Sequence, residues 1–152
     1  MIQIQKAKIG DAQQIHQLIA SFAEKRSMLP RSLNYIYENI RDFWVAKDGD
    51  SVVGCCALHI VGWEGLAEVK SLSVAEAKQK TGLGRLLVEK CLQEAREMGI
   101  RRAFALTFVP GFFKKLGFSE IEKEKLPHKI WSDCIDCSYF PDCCEIAVIK
   151  EI

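Results

Sequence analysis

The chain has 152 residues, 49% of them hydrophobic and 27% charged, which is the size and composition of one ordinary globular domain. Disordered, collagen-like and low-complexity classes are therefore excluded. Lysine and arginine number 21 against 20 aspartate and glutamate residues, so no basic surplus points to nucleic acid or a membrane surface as a partner. We expect a single domain over residues 1–152.

The start of the chain predicts one strand followed by two helices. Ile2 and Ile4 alternate with polar residues, as in a half-buried strand. Asp11, with Gln14 three residues later, is typical of a helix N-cap pair. A second, shorter helix is predicted to begin after Ser32.

A hairpin and a long central strand come next. Residues 43–47 and 51–61 are mostly apolar and flank an Asp-Gly-Asp turn, which predicts two antiparallel strands. Residues 66–74 predict a further strand, although Glu68 and Lys70 interrupt its apolar character. Charged residues in the middle of a central strand need a structural or functional explanation.

The second half of the chain predicts a long helix over residues 82–98, ended by Gly99. Its apolar stripe consists of Leu83, Leu86, Leu87, Cys91, Leu92 and Ala95. Short strands are predicted at 102–106, 119–122 and 145–150, with a short helix at 111–116. This order of elements predicts an α/β (α+β) fold, in which helices cover both faces of a mixed sheet.

The segment that joins the central strand to the long helix reads Gln79-Lys80-Thr81-Gly82-Leu83-Gly84-Arg85, a Gln-x-x-Gly-x-Gly pattern. Glycines allow a ligand to approach the backbone closely, and the first N–H groups of a helix have no intrahelical acceptor. Together they favour a pyrophosphate site. A dinucleotide-binding turn needs a third glycine, but position 87 is Leu. The alternative interpretation is that the glycines only loosen a loop.

The strand end Leu72-Ser73-Val74, a four-residue spacer, this pattern and the amphipathic helix resemble motif A of the GCN5-related N-acetyltransferase (GNAT) family, which binds acetyl-CoA. Residues 112–118 look like the later family helix that ends in Gly-Phe. The resemblance implies the GNAT fold, with a mixed, mostly antiparallel twisted sheet, and acetyl-CoA as co-substrate. It also suggests a homodimer and a small-molecule substrate.

Within that family, the chain is most similar to the acetyltransferase domain of bacterial N-acetylglutamate synthases. The similar segments are 29–32, 56–58, 104–107, Phe118 and 126–127. The resemblance implies acetylation of the α-amino group of a small amino acid, L-glutamate first, in arginine biosynthesis. Long synthases carry a preceding amino-acid-kinase-like domain, so we expect a short, stand-alone form. Another amine or peptide specificity, and a non-catalytic acetyl-CoA sensor, are the alternatives.

The resemblance also assigns the acetyl-CoA contacts. The backbone around Leu72, Ser73 and Val74 is expected to bind the pantetheine arm and polarise the acetyl oxygen. The N–H groups of the loop and helix start are expected to bind the pyrophosphate, from Gln79 through Lys80, Thr81, Gly82, Leu83 and Gly84 to Arg85. The Arg85 side chain either adds charge to this phosphate site or is a solvated helix residue.

Glu68 is the candidate general base, since a carboxylate beside the pocket accepts the ammonium proton directly or through a water. The alternative is that Glu68 and Lys70 pair on a solvent-facing side. Many relatives place a tyrosine acid in the later helix, where this chain has Phe113. Tyr139, water or no dedicated acid then remain for the leaving thiolate.

An amino-acid substrate presents a carboxylate, which calls for a cation near the acetyl group, ideally an arginine. Arg31 is the predicted residue, and its alternative role is that of an exposed side chain at a helix start. Positive charge is unfavourable there, which favours a functional role. Lys70 and Lys129 are secondary candidates for binding a side-chain carboxylate.

The last third contains a cysteine-rich segment, residues 127–144, whose candidate metal ligands are His128, Cys134, Cys137 and Cys143. Only one Cys-x-x-Cys pair has the usual spacing, so zinc is not favoured. The alternative is a loop that packs over the acceptor site. The chain has no apolar run long enough to cross a bilayer and no secretory signal, so we expect a cytoplasmic protein.

Overall fold

The computed structural model describes residues 1–24, 31–61, 65–126 and 145–152. The helices of these ranges are α1 (Ala12–Glu24), α2 (Leu33–Glu38), α3 (Leu83–Glu97) and α4 (Pro110–Lys115). The strands are β1 (Ile2–Lys6), β2 (Phe43–Asp48), β3 (Ser51–Val61), β4 (Leu66–Val74), β5 (Arg102–Thr107), β6 (Ser119–Ile121) and β7 (Ile146–Glu151).

The seven strands form one sheet in the order β1-β2-β3-β4-β5-β7-β6. Each neighbouring pair is antiparallel except β4 and β5, which run parallel. The parallel pair follows from the chain path, because α3 carries the chain from the end of β4 back to the start of β5. The predicted mixed, mostly antiparallel sheet is thereby confirmed.

Ser32 caps α2 as predicted, because its hydroxyl accepts the backbone N–H of Tyr35 at 3.0 Å. The predicted N-cap pair of Asp11 and Gln14 is wrong. A 3₁₀ turn precedes α1, and the Asp11 carboxylate accepts the N–H of Lys8 at 2.9 Å. The Gln14 side chain instead accepts the N–H of Val52 on β3 at 2.9 Å. Only tertiary structure brings that partner to it.

The face of the sheet that carries α3 holds the larger apolar cluster. The buried side chains of α3 are Leu83, Leu87, Val88, Cys91, Leu92 and Ala95. Leu86 was expected in this stripe but is 49% exposed. It lies about 100° around the helix from Leu87, so it falls outside the face that meets the sheet.

The opposite face carries two smaller apolar clusters with a polar strip between them. The first cluster lies under α1 and α2 and includes Cys55 and Ala57 of β3. The second includes Val61 of β3 and Leu66 of β4. Along β4, Glu68 and Lys70 follow Leu66 on this same face, and both are buried. The interruption that the sequence shows in this strand is therefore a charged strip between two apolar clusters.

Candidate active site

The N-terminus of α3 is open to a ligand. Gly82 is the N-cap residue at φ 85°, and no side chain caps the helix. The first helical hydrogen bond runs from the Leu86 N–H to the Gly82 carbonyl at 3.1 Å. The N–H groups of residues 83–85 therefore have no acceptor within the helix. Such an end attracts anions, because the N–H groups and the helix dipole both favour negative charge.

The loop before α3 is fixed by its own hydrogen bonds. The Gln79 side chain donates to the Val74 carbonyl at 2.9 Å, which ties the loop to the end of β4. The backbone N–H of Gln79 donates to the Glu76 carbonyl at 3.2 Å. Gln79 was expected to offer its N–H to pyrophosphate, but that N–H is already used within the loop. Lys80, at φ 63°, and Thr81 turn the chain into the helix.

Gly84 lies where α3, α4 and β4 meet. A Cβ added to Gly84 would lie 3.5 Å from Phe112 Cζ and 3.7 Å from Val74 Cγ2. These are ordinary van der Waals distances, so the glycine permits close packing without an absolute steric need for it. The contact fixes the start of α3 against the end of β4.

A groove of about 900 Å³ runs between α3 and α4. Its cationic lining residues are Arg85, Arg96, Lys115 and Lys150. Arg85 pairs with Glu89 one turn later at 2.9 Å, and its side chain is 66% exposed. Arg85 is thus a solvated side chain that also lines this groove, and its contact with phosphate stays a prediction.

β4 separates from β5 before the chain reaches the loop that leads to α3. The two strands pair only over residues 66–68 of β4, and the last pair joins Glu68 to Phe104. Beyond that point the register between β3 and β4 shifts, and Ser71 adopts φ 58°. This bulge changes the direction of the last part of β4, which includes Leu72 and Ser73. It leaves the β5-facing backbone of residues 69–74 outside the ladder with β5.

The structure brings Arg31, Glu68 and Lys70 together around Tyr35. The Lys70 ammonium lies 3.9 Å from Glu68 Oε1 and 5.3 Å from the centre of the Tyr35 ring. The Arg31 guanidinium carbon lies 5.1 Å from the same ring. The side chains of Lys70 and Glu68 are 5% and 9% exposed, so the alternative of a solvent-facing pair is wrong. Sequence reasoning missed Tyr35, since nothing local distinguishes it from a core aromatic residue.

Lys70 is a cation despite its burial. Burial alone would lower the pKa of Lys70, and so does the nearby Arg31 charge. The negative charge of Glu68 and the Tyr35 hydroxyl outweigh both, so the pKa of Lys70 lies above its ordinary value of 10.5. The cluster therefore presents two positive charges beside one carboxylate.

Two further polar residues, His59 and Asp42, lie at the edge of this cluster. His59 is the β3 partner of Glu68 in the sheet register. Its Nδ1 lies 2.8 Å from Asp42 Oδ2. The signal available in the sequence was an imidazole in an otherwise apolar strand, and its partner, 17 residues earlier in the chain, had none.

Phe113 is a core residue, 4% exposed, and its ring meets those of Phe112 and Phe118 edge to face. The other candidates of the cysteine-rich segment, namely Lys129, Tyr139, His128, Cys134, Cys137 and Cys143, lie outside the described residues. Within the described ranges, no group of three or more His, Cys, Asp or Glu side chains is arranged to hold a metal. No helix of those ranges is both long and apolar enough to span a membrane.

Comparison with known proteins relates the chain to acetyltransferases. A model of the acetyltransferase (GNAT) family matches residues 11–118. An uncharacterized N-acetyltransferase of Chlorobaculum tepidum is 43% identical over 98% of this chain and 96% of its own length. An amino-acid acetyltransferase of Mycobacterium tuberculosis is 35% identical over 86% of this chain and 75% of its own length.

Two solved structures match almost the whole chain. One is N-acetylglutamate synthase from Neisseria gonorrhoeae complexed with coenzyme A and N-acetyl-glutamate, with a TM-score of 0.89 and 26% identity. The match covers 99% of this chain and 35% of that one. The other is a Mycobacterium tuberculosis protein in complex with CoA and NLQ, with a TM-score of 0.85, 30% identity and 99% of both chains covered.

Proposed function

The chain belongs to the acetyltransferase (GNAT) family, and we propose that it transfers an acetyl group to the α-amino group of a small amino acid, L-glutamate first. It is an acyltransferase, and acetyl-CoA is its co-substrate. The observation that carries the proposed acceptor is the cluster of half-buried Arg31 with buried Glu68 and Lys70 around Tyr35, which lies beside the point where β4 leaves β5.

The proposed acetyl-CoA site combines three features of the α3 side. The N–H groups from Lys80 to Arg85 face the pyrophosphate, because residues 83–85 have no helical acceptor. The pantetheine arm follows residues 72–74, whose backbone lies beyond the ladder with β5. The thioester then lies at the opening between the two strands, and backbone N–H groups there polarise its carbonyl.

The proposed acceptor site uses Arg31 and Lys70 to bind carboxylates. Arginine offers a planar pair of N–H donors that match a carboxylate, and lysine offers a point charge. An amino acid with a side-chain carboxylate uses both cations, which favours glutamate over uncharged amino acids. A polyamine would bring positive charge to the cations Arg31 and Lys70 and is disfavoured.

Glu68 is the proposed general base. It takes a proton from the substrate ammonium, directly or through one water, and the neutral amine attacks the thioester carbon. The attacking nitrogen gives its second proton to water, and the tetrahedral intermediate breaks its carbon–sulfur bond and releases the CoA thiolate. Phe113 has no proton to donate, so the thiolate takes its proton from water or from a residue outside the described ranges. The products are the N-acetylated amino acid and CoA.

The broader setting follows from the family resemblance. We propose a single acetyltransferase domain that works in the cytoplasm in arginine biosynthesis. A homodimer is the expected assembly. Light scattering on the purified protein tests the assembly, and growth of a deletion strain with and without arginine tests the pathway.

The test of function is thiol release from acetyl-CoA with glutamate, glutamine, other amino acids, simple amines and a peptide as acceptors. Arg31→Ala is compared with Arg31→Lys and with Arg101→Ala, since Arg101 is exposed at the start of β5. Loss of one charge-assisted hydrogen bond pair to a carboxylate is worth about 1.5–3 kcal/mol, so the KM for glutamate should rise by about 10- to 150-fold in Arg31→Ala. Arg31→Lys should restore the affinity for glutamate only in part, because lysine lacks the two-donor geometry of arginine.

The outcomes separate the candidate functions. Turnover on glutamate that is lost in Arg31→Ala but kept in Arg101→Ala supports the proposal. Faster turnover on another amino acid would change the proposed acceptor and leave the proposed reaction, acetyl transfer to an amino acid, in place. Saturable acetyl-CoA binding with no thiol release on any acceptor refutes the proposed reaction.

A further inference from the structure

Within the sheet, Glu68 has four neighbours on its own face. Leu66 and Lys70 are the next residues of β4 on that face, His59 lies opposite on β3, and Phe104 lies opposite on β5. The Glu68 side chain is only 9% exposed, so a neighbouring side chain that also reaches solvent offers a route by which a proton taken up by Glu68 can leave.

Three of the four neighbours cannot accept a proton. Leu66 and Phe104 are apolar and buried. Lys70 is already protonated, since the Glu68 charge holds its pKa above the ordinary value against the effect of burial. Arg31, on the helical side of the cluster, is also a permanent cation. Among the sheet neighbours of Glu68, His59 is therefore the one whose side chain can accept a proton.

The contact between His59 and Asp42 leaves the other imidazole nitrogen ready to accept. A carboxylate accepts hydrogen bonds only, so His59 Nδ1, 2.8 Å from Asp42 Oδ2, carries the proton of the neutral ring. Nε2 then holds the lone pair. Within the described part of the chain His59 makes no other hydrogen bond or ion pair. Its side chain is 36% exposed, so it also contacts solvent.

We propose that His59, oriented by Asp42, carries the proton from Glu68 to solvent and so resets the general base after each turnover. Directly opposed residues of antiparallel strands have Cβ atoms about 4.5–5.5 Å apart, which puts the two side chains within reach directly or through one water. This inference rests on the proposed function of Glu68 and adds to it a residue that does not touch the substrate.

The proton balance of the relay is closed. The ammonium gives one proton to the Glu68 carboxylate, and the resulting carboxylic acid gives it to Nε2 of neutral His59. The imidazolium, stabilised by Asp42, releases a proton to water or buffer from Nε2 and returns to the starting tautomer. No bond other than those to the moving proton forms or breaks, and Glu68 is again a carboxylate.

The kinetic test compares His59→Gln and Asp42→Asn with His16→Gln, since His16 lies on α1 away from the sheet register of Glu68. We expect kcat near pH 7 to fall by about 10- to 100-fold in His59→Gln, while the KM for acetyl-CoA stays within about twofold. The difference in kcat between His59→Gln and the wild type should shrink as pH rises, because hydroxide then takes the proton from Glu68. Free imidazole should raise the kcat of His59→Ala in proportion to its neutral fraction.

A second measurement does not depend on turnover. Within the described residues, Asp42 of the preceding turn bonds His59, and Glu68 of β4 lies opposite it in the sheet. The side chains of Glu68 and His59 lie opposite each other in the sheet, so the ring ¹⁵N chemical shifts of His59 should change in Glu68→Gln, whereas those of His16 should not.

The results separate the relay from the function on which it rests. Unchanged kcat in His59→Gln at every pH, or a loss that imidazole does not relieve, overturns the relay while wild-type turnover upholds the acetyltransferase. Identical ring ¹⁵N shifts of His59 in wild type and Glu68→Gln also overturn it. No wild-type turnover on any acceptor overturns both proposals.

Discussion

Two alanine substitutions in one loop should have opposite effects on stability. Gly82 adopts φ 85°, a left-handed conformation that costs an L-residue about 1–2 kcal/mol. Nothing lies within 4 Å of a Cβ added there, so backbone strain is the whole effect on the free protein. Gly84 is a helical residue whose added Cβ makes only ordinary contacts. Alanine there should stabilise α3 by about 0.5–1 kcal/mol.

In a domain of this size, each kcal/mol shifts the Tm by about 2–4 °C. Gly82→Ala should therefore lower the Tm by about 2–8 °C, and Gly84→Ala should raise it by about 1–4 °C. The binding of CoA should separate the two variants further. The Cβ at position 82 enters the open space before the helix N-terminus, whereas the Cβ at position 84 points at Phe112 and Val74.

Urea and thermal unfolding measure the first effect, and calorimetric titration with CoA measures the second. Gly82→Ala should weaken CoA binding by about tenfold or more, equal to one lost charge-assisted hydrogen bond of about 1.5 kcal/mol. Gly84→Ala should bind CoA within about twofold of wild type. Equal losses in the two variants, or full affinity in Gly82→Ala, would refute the placement of the pyrophosphate against the start of α3.

Glu68→Gln should lower kcat by about 10²- to 10⁴-fold and leave acetyl-CoA affinity within about twofold, because Glu68 lies on the sheet face away from α3. Thiol release measures kcat, CoA titration measures the affinity, and Glu97→Gln, a change at an exposed residue, is the control. A loss of kcat below tenfold would argue against Glu68 as the base. Burial raises the pKa of the Cys55 thiol from 9.0 to about 12, so its contribution to stability is full below pH 9 and is lost as the pH rises toward 12. That difference in pKa corresponds to roughly 4 kcal/mol. Between pH 8 and pH 10.5, the free energy of unfolding measured with urea should therefore fall less in Cys55→Ala than in the wild type. Equal falls in both proteins would contradict this reasoning.

The open start of α3, on which the proposed acetyl-CoA site is built, was predictable because it is local in sequence. The glycines, the helix that follows them and the strand that precedes them are contiguous, and helix geometry alone aims the N–H groups of residues 83–85 at one point. One detail was wrong. The N–H of Gln79 bonds to Glu76 within the loop, because a 3₁₀ turn at residues 76–78 closes on it.

The proposed acceptor side was only partly predictable, because its residues come from parts of the chain that are far apart in sequence. The sequence marked Glu68 and Lys70 as charges in a strand and Arg31 as a cation at a helix start, but it left open whether the pair faced solvent. The structure buries both side chains and places α2 across them, with Tyr35 between the two cations.

Residue types and local spacing determined the strands, the long helix, the capping of α2 by Ser32 and the uncapped start of α3, because each depends on hydrogen bonds and side-chain periodicity within one segment. Tertiary structure alone decided the partner of Gln14, the exposure of Leu86 and the meeting of Asp42, His59 and Glu68. Those features depend on which strand lies beside which and in what register, and a register is set by the packing of the whole sheet.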